Sequence, residues 1–300
     1  MSRRKWLVTS LIVSQLQAFT FQTLPENLTG GEGLILRFKG DSEGDYRIRF
    51  EHQRYKPFPV SEGVWEIFLP LGIETAGERE LTVEKISPAG PEKKHSFLVK
   101  VAQRKIKTVS LGKTSRRMRK AQPSIPEQQK KVLAAINNRE PQKYWNQPFL
   151  LPLRSEVSTE FGVKRNLGTY TYYHWGVDLT APEGTPVQAT NSGKVILSEH
   201  NFNIYGNLLI IDHGQGVVSC YFHLSRIFKK VGDMVDQNEV IAEVGNTGWS
   251  TEPHLHFGIY LQGKPIDPFW MVSLTSDFTI CDTSVYNVKK LNSFPNPGKE

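Results

Sequence analysis

The stretch EPHLHFGIY, residues 252–260, places two histidines one residue apart within a run that alternates like a buried β-strand. Because side chains on a strand alternate between its two faces, His254 and His256 point the same way, whereas Leu255 and Phe257 point into the opposite layer. Histidine titrates near neutral pH and is the commonest metal ligand. Two imidazoles on one face indicate a metal site or proton transfer, although an isolated H-x-H can also be an ordinary polar pair.

A second motif, HWGVD at residues 174–178, supplies further ligands. On an extended chain His174 and Asp178 share a face, so an imidazole and a carboxylate can converge on one ion. Together with His256 they make three ligands. Catalytic zinc keeps three protein ligands and leaves a position for water, whereas structural zinc is closed by four. The sequence therefore predicts a catalytic metal site of His174, Asp178 and His256.

A third motif, CYFHLS at residues 220–225, places His223 at the end of an apolar strand. Beside a metal site, His223 and His254 are the pair expected to take a proton from the attacking water and to stabilise the developing charge. A core histidine with satisfied ring nitrogens is the alternative for His223. His200 and His213 are expected to be structural.

The distribution of strand-like runs predicts a mainly β protein of two domains, as its 300 residues also suggest. We expect a β-sandwich-like domain over residues 19–102, a basic linker and helix over 103–146, an antiparallel β domain with the metal site over 147–272, and a tail over 273–300. In the linker, SIPEQQKKVLAAINNRE (124–140) predicts a helix with a capping box at its start, an apolar stripe of Val132, Leu133 and Ile136, and an end at Pro141.

The first 18 residues combine a basic start with a short apolar stretch, which predicts a signal peptide, with an uncleaved anchor or buried strand as alternatives. Export would place the protein in the periplasm or cell envelope, or outside the cell. Cys220 and Cys281 could then form a disulfide, or both could be free buried thiols. The sequence does not predict the oligomeric state.

The positive charge is concentrated in one segment. Residues 100–120 carry nine Lys or Arg and no acid, which exceeds the net charge of +7 of the whole chain. Such a segment is either a solvated linker or a weak contact with an anionic wall or membrane. Nucleic acid is not expected as a partner of an exported chain.

The motifs HWGVD, GNLLIIDHGQGVVSCYFHLS, VGDMV and GNTGWSTEPHLHFGI, in this order over residues 147–272, resemble the lysostaphin-type (LytM-domain) zinc metallopeptidases of bacterial cell walls. FGVKR at 161–165 resembles that family less specifically. The resemblance implies one Zn²⁺ per chain held by His174, Asp178 and His256, with His223 and His254 as catalytic histidines. It also implies a groove across one sheet of the antiparallel β peptidase domain, with the metal site in that groove, and hydrolysis of peptide cross-links or stem peptides of peptidoglycan.

Three positions depart from the family pattern: Trp175, Phe222 and Glu252 stand where smaller residues are commoner. They could narrow the groove or change the peptide preference, or simply pack. Two other functions are compatible with parts of the sequence. A noncatalytic or autoinhibited activator of other wall hydrolases would fit the family but does not require the complete set of five residues. A lipoyl-type carrier, suggested by GDMVDQNEVIAEVG, lacks a suitably placed lysine.

Overall fold

The computed structural model describes residues 21–25, 27–110, 125–166 and 171–276 of the chain. The predicted signal peptide (1–18), part of the basic segment (111–120), Ser124 of the predicted capping box, Cys281 and residues 277–300 lie outside the described residues. The predicted mainly β architecture with a large antiparallel sheet is confirmed.

Two sheets form the N-terminal sandwich. The first orders its strands β1–β3–β7–β6: β1 (Phe21–Leu24), β3 (Gly33–Lys39), β7 (Val64–Pro70) and β6 (Phe58–Ser61). The second orders them β2–β9–β8–β4–β5: β2 (Leu28–Thr29), β9 (Gly90–Ala102), β8 (Gly77–Ser87), β4 (Asp45–Phe50) and β5 (Gln53–Tyr55). All pairings are antiparallel except that of β2 with β9.

The alternating runs in the sequence build the core between these sheets. As predicted, Tyr46, Ile48 and Phe50 of β4 share a buried face. Leu34, Leu36 and Phe38 of β3 meet them from the other sheet.

The central strands of the first sheet, β3 and β7, are buried on both faces. While one face of β3 and β7 contributes to the sandwich core, Ile35 and Phe68 on the other face belong to the core of the C-terminal half. The ring centroid of Phe68 lies 5.7 Å from that of Trp145. This explains why β7 is buried along nearly its whole length instead of alternating. The sandwich and the C-terminal half therefore share an apolar interface.

The connector contains β10 (Thr108–Ser110) and helix α1 (Ile125–Ile136). Val132 and Ile136 are buried against the C-terminal half, as expected, but Leu133 is exposed. The helix also ends before Pro141. The Leu133 carbonyl accepts two hydrogen bonds from Asn137, one from its backbone N–H (3.0 Å) and one from its side-chain amide (2.7 Å). Asparagine side chains that hydrogen-bond to nearby backbone groups in this way favour a helix end.

The basic segment is not simply a solvated linker where it is described. Arg104 forms an ion pair with Asp267 (2.5 Å) and lies over the ring of Phe161. Farther along, β10 pairs in parallel with β12 (Lys164–Asn166), which pairs with β13 (Thr171–Tyr173). The segment thus attaches the sandwich to the C-terminal half.

The C-terminal β domain is built around a large antiparallel sheet. Its strand order is β11–β14–β22–β18–β17–β16–β20, with β23 added beside β22. The strands are β11 (Glu156–Thr159), β14 (Val177–Thr180), β22 (His254–Leu261), β18 (Val217–Leu224), β17 (Gly206–Gly214), β16 (Gly193–Phe202), β20 (Met234–Val235) and β23 (Lys264–Ile266). A small sheet joins β15 (Pro186–Gln188), β21 (Val240–Glu243) and β19 (Arg226–Ile227).

Helix α2 (Pro268–Ser276) follows β23 and crosses the predicted boundary between residues 272 and 273. Leu274 and Thr275, assigned to a tail from the sequence, are buried, and the Thr275 hydroxyl accepts a hydrogen bond from the Phe149 N–H (2.8 Å). Of the two described helices, neither has the length and apolar character needed to cross a membrane.

His213 is fully buried in β17, which fits the structural role expected of it. Its Nδ1 hydrogen-bonds to the Ser192 carbonyl (2.8 Å) and its Nε2 to the Ser219 hydroxyl (2.8 Å). Burial is the main reason that its pKa falls from 6.5 to about 4. The imidazole is therefore neutral in the folded protein at pH 7.

We predict that this buried histidine makes stability fall in mild acid. Because the unfolded chain binds the proton near pH 6.5 and the folded chain only near pH 4, stability drops as pH falls through this window. Between pH 7 and pH 5 the wild type should lose about 2 kcal/mol more than His213→Gln. Urea unfolding at both pH values measures the difference, and equal losses in the two chains would refute it.

Candidate metal centre

Strand register places the central pair of the site. In the pairing of β14 with β22, Asp178 lies directly opposite His256, and Thr180 lies opposite His254. Directly opposed residues of an antiparallel pair project from the same face. The H-x-H motif and the aspartate of HWGVD are therefore brought to one face by backbone pairing alone.

Three donor atoms converge there. Asp178 Oδ1 lies 2.8 Å from His174 Nε2 and 2.9 Å from His256 Nδ1, and these two nitrogens lie 2.9 Å apart. These three residues form a group with the geometry to hold a metal ion. His174 and Asp178 are buried, and His256 is largely so.

The hydrogen bonding of His174 fits a cation at this point. Its Nδ1 lies 3.0 Å from the Glu160 carbonyl, which can only accept, so Nδ1 carries the ring proton. In the neutral ring, Nε2 is then a bare lone pair aimed at a carboxylate oxygen and at a second histidine nitrogen. Two such acceptors repel each other unless a proton or a metal ion lies between them. Two histidines and one carboxylate are a donor set that zinc accepts.

Asp178 is ionised and held from both sides. Its second oxygen, Oδ2, accepts a hydrogen bond from Arg165 Nη2 (3.0 Å). Burial alone would raise the pKa of Asp178, but hydrogen bonds and attraction from His174 and His256 hold it well below its usual range. The carboxylate is thus available as an anionic ligand.

His256 is fixed by close packing. Phe222 of β18 lies opposite it in the register, and the two rings stack with centroids 5.3 Å apart and planes only 2° from parallel. On another side Gly176 leaves room for the ring, because a Cβ there would lie 2.7 Å from His256 Nε2. Burial lowers the pKa of His256 to about 4, which keeps the imidazole neutral, as a ligand must be.

His223 reaches the site through a break in strand alternation. Phe222 faces the site, so the next residue of a regular strand would point away from it. Between Tyr221 and Leu224, however, β18 has one residue more than the facing part of β17, and His223 has a φ of 65°. Such a bulge re-aims a side chain and strains a residue of this size. As a result the His223 ring centroid lies 4.8 Å from that of His254 and 6.2 Å from that of His256.

Both outer histidines present Nε2 to the site. His223 Nδ1 lies 2.8 Å from the Thr247 carbonyl, and His254 Nδ1 lies 2.8 Å from the Glu252 carbonyl, so each Nδ1 donates its proton to backbone. Each Nε2 is then free to accept a proton, and that of His254 is 3.7 Å from Asp178 Oδ1. Burial, followed by repulsion from His254 and His256, lowers the pKa of His223 to about 3.

A family model identifies this part of the chain. Residues 172–268, which include all five residues of the site, match the model described as Peptidase family M23. These residues form an M23 domain. The resemblance to lysostaphin-type peptidases inferred from the motifs is confirmed.

Curated relatives match part of the chain. The chain is 36% identical over 137 residues to the DD-carboxypeptidase/endopeptidase Mpg of Neisseria meningitidis, which is 45% of this chain and 31% of the relative. It is 38% identical over 94 residues to the peptidoglycan DD-endopeptidase ShyA of Vibrio cholerae, which is 31% of this chain and 22% of the relative. The chain thus spans less than a third of the length of either relative.

A solved structure matches most of the chain. A crystal structure of a peptidase M23 protein from Pseudomonas aeruginosa superposes with a TM-score of 0.62 at 23% identity, covering 82% of this chain and 95% of that chain. The similarity therefore concerns the fold.

The structure brings together all five residues predicted for the site, His174, Asp178, His223, His254 and His256; their roles stay predictions. The sequence did not predict the groups that orient the side chains of the site. The sequence drew attention to Arg165 through the FGVKR motif and to Phe222 as a departure from the family pattern. It did not predict their contacts with Asp178 and His256. The carbonyls of Glu160, Glu252 and Thr247 carry no side-chain signal, and only the structure locates them.

We predict that Gly176→Ala weakens metal binding by His174, Asp178 and His256. The new Cβ would lie 2.4 Å from the Phe257 carbonyl oxygen and 2.7 Å from His256 Nε2, so the ligand ring or the strand must move. Zinc affinity, measured by competition with a chromophoric chelator, should fall at least tenfold. Gly184→Ala is the control, since its Cβ meets nothing within 4 Å and only its positive φ of 87° causes strain. Wild-type affinity in Gly176→Ala would contradict the prediction.

Proposed function

We propose that the chain is a zinc-dependent endopeptidase that hydrolyses peptide cross-links or stem peptides of bacterial peptidoglycan. The observation that carries the proposal is the convergence of three ligand atoms beside two histidines whose Nε2 atoms are free to accept protons. The M23 family match supports the peptidase class, and the names of the relatives support the wall as substrate.

In this proposal His174 Nε2, Asp178 Oδ1 and His256 Nδ1 hold one Zn²⁺. Zinc bound by three protein ligands supplies a Lewis acid that polarises a carbonyl and makes water acidic. The chain contributes the orientation of the ligands. The Glu160 carbonyl fixes the His174 ring, Arg165 fixes the carboxylate, and the stacked Phe222 fixes the His256 ring.

His223 and His254 accept and donate protons in the proposed reaction. Because both Nδ1 atoms are engaged by backbone carbonyls, the exchangeable position of each ring is Nε2. One of the two accepts a proton from the attacking water at Nε2. The other, once protonated there, donates a hydrogen bond to the oxyanion or a proton to the leaving amine.

The substrate bond is proposed to be a D,D-peptide bond of a directly cross-linked wall. The names of the Neisseria and Vibrio relatives, a DD-carboxypeptidase/endopeptidase and a peptidoglycan DD-endopeptidase, support this bond over a glycine bridge. Export to the periplasm or cell envelope follows from such a substrate and from the predicted signal peptide.

The unusual residues near the site have different surroundings. Phe222 packs on a proposed ligand, whereas Trp175 is partly buried between Tyr173 and Phe161, with ring centroids 5.1 and 6.1 Å away. Glu252 is exposed and its carbonyl orients His254. Of the three, its side chain is the one placed to meet a peptide from solvent.

The test is to incubate the zinc-loaded protein with intact sacculi of directly cross-linked and glycine-bridged walls and to identify the products by mass spectrometry. The wild type should convert cross-linked fragments to monomers, while His256→Ala should lose activity by at least 1,000-fold because it lacks a ligand. A chelator should inhibit the wild type, and added Zn²⁺ should restore it.

His200→Ala is the matched control, because His200 is exposed on β16 and lies outside the cluster. It should cleave like the wild type. If the wild type binds zinc but cleaves no wall, the proposal of an endopeptidase fails and a noncatalytic activator takes its place. Release of glycine-bridge products alone would overturn the proposed D,D specificity.

A further inference from the structure

A loop of the N-terminal sandwich reaches the back of the metal centre. Residues 71–76, between β7 and β8, carry Ile73, which is 7% exposed and belongs to the same core cluster as Phe161. A Cβ built on Gly162 would lie 2.4 Å from Ile73 Cδ1. The end of the Ile73 side chain therefore rests directly on the backbone of turn 160–163.

Turn 160–163 in turn holds His174. The Glu160 carbonyl accepts from His174 Nδ1 (3.0 Å), and the Val163 carbonyl accepts from the His174 N–H (2.9 Å). The Gly162 N–H donates to the His174 carbonyl (2.8 Å). The backbone and the ring of this proposed ligand are thus both fixed by the turn on which Ile73 rests.

The loop that carries Ile73 is itself firmly held. The Glu51 carboxylate accepts hydrogen bonds from the Gly72 N–H (3.3 Å) and the Thr75 hydroxyl. Glu51 lies in a tight turn at a φ of 45°, which is uncommon for a residue with a side chain of this size. Next to Ile73, Glu74 forms a hydrogen bond with the hydroxyl of Tyr173, the residue before His174.

Turn 160–163 is closely packed on the side that faces the sandwich. Arg104, paired with Asp267, lies over the Phe161 ring at 5.2 Å, and a Cβ on Gly31 would lie 2.8 Å from Phe161 Cε1. Because the interior is closely packed, Ile73 fills the space beside turn 160–163. A shorter side chain at this position would leave a cavity, and the turn would shift toward it.

From these contacts we infer that Ile73 is a positioning residue for the metal centre, acting from the N-terminal sandwich through turn 160–163 on His174. It keeps the Glu160 carbonyl where it orients the ring and directs Nε2 at the ion. The inference rests on the proposed metal site. It gives the sandwich a part in the support of the centre, beyond any contact with the wall.

The experiment compares zinc affinity in the full chain for wild type, Ile73→Val, Ile73→Ala and a matched control, Ile35→Ala. Ile35 is the same residue type, is 6% exposed, and belongs to the same core, but it lies across the sheet from Phe68, whose ring neighbours Trp145. Dissociation constants come from competition with a chromophoric chelator. The absorption spectrum of the Co²⁺-loaded protein reports ligand geometry, and urea unfolding of the metal-free chains reports stability.

The expected result separates support of the site from general stability. Both alanine variants should be less stable, but only Ile73→Ala should weaken zinc binding, by about tenfold, and shift the Co²⁺ bands. Ile73→Val, which loses only Cδ1, should weaken binding by a smaller factor. Ile35→Ala should bind zinc within about twofold of wild type, as expected for a change that leaves turn 160–163 in place.

Two results would overturn the inference alone: wild-type zinc affinity and Co²⁺ spectrum in Ile73→Ala, or an equal loss of affinity in Ile35→Ala. Failure of the wild type itself to bind zinc would overturn the proposed metal centre and the inference with it. Zinc binding with the predicted variant pattern but no cleavage of sacculi would refute the proposed endopeptidase and leave the role of Ile73 standing.

Discussion

The pairing of Asp178 with His256 across β14 and β22 is the constraint on which the site depends. It puts a buried carboxylate against two imidazole nitrogens at 2.8 and 2.9 Å. A buried anion is costly unless it is neutralised, so the surroundings of Asp178 must supply positive charge. Arg165 supplies part of it at the outer oxygen, and the inner oxygen faces ligand atoms suited to a cation. A shift of register by one residue would turn His256 away and leave this charge without its partners.

The sequence predicted the parts of the site that follow from regular strands. The alternation in EPHLHFGIY correctly put His254 and His256 on one face, and the spacing in HWGVD correctly brought His174 to Asp178. The period of a β-strand was sufficient for the histidine pair, whereas His174 lies outside a strand, between β13 and β14, and reaches Asp178 across that irregular segment. The alternating runs of the N-terminal half likewise predicted β4 and its buried face, because a half-buried strand shows its period in the sequence.

What the sequence could not predict depends on irregular backbone and on contacts between distant segments. The bulge that turns His223 toward His254 adds one residue to a strand, and no residue type marks it. The support of His174 by Glu160 uses a carbonyl that every residue has. The helix was expected to reach Pro141 but ends at Ile136, and the next residue, Asn137, donates both its backbone N–H and its side-chain amide to the Leu133 carbonyl. Leu133 was expected to share an apolar stripe with Val132 and Ile136, but only those two residues are buried.

The burial of β3 and β7 on both faces also has a consequence for the order in which the chain assembles. During synthesis the sandwich emerges from the ribosome first, and its outer face carries Ile35 and Phe68 with nothing yet to cover them. That face becomes solvent-free only when Trp145 and the strands of the M23 domain arrive. The C-terminal half thus folds against the apolar face of the sandwich. Until it does, that face is an exposed apolar surface of the kind that chaperones bind.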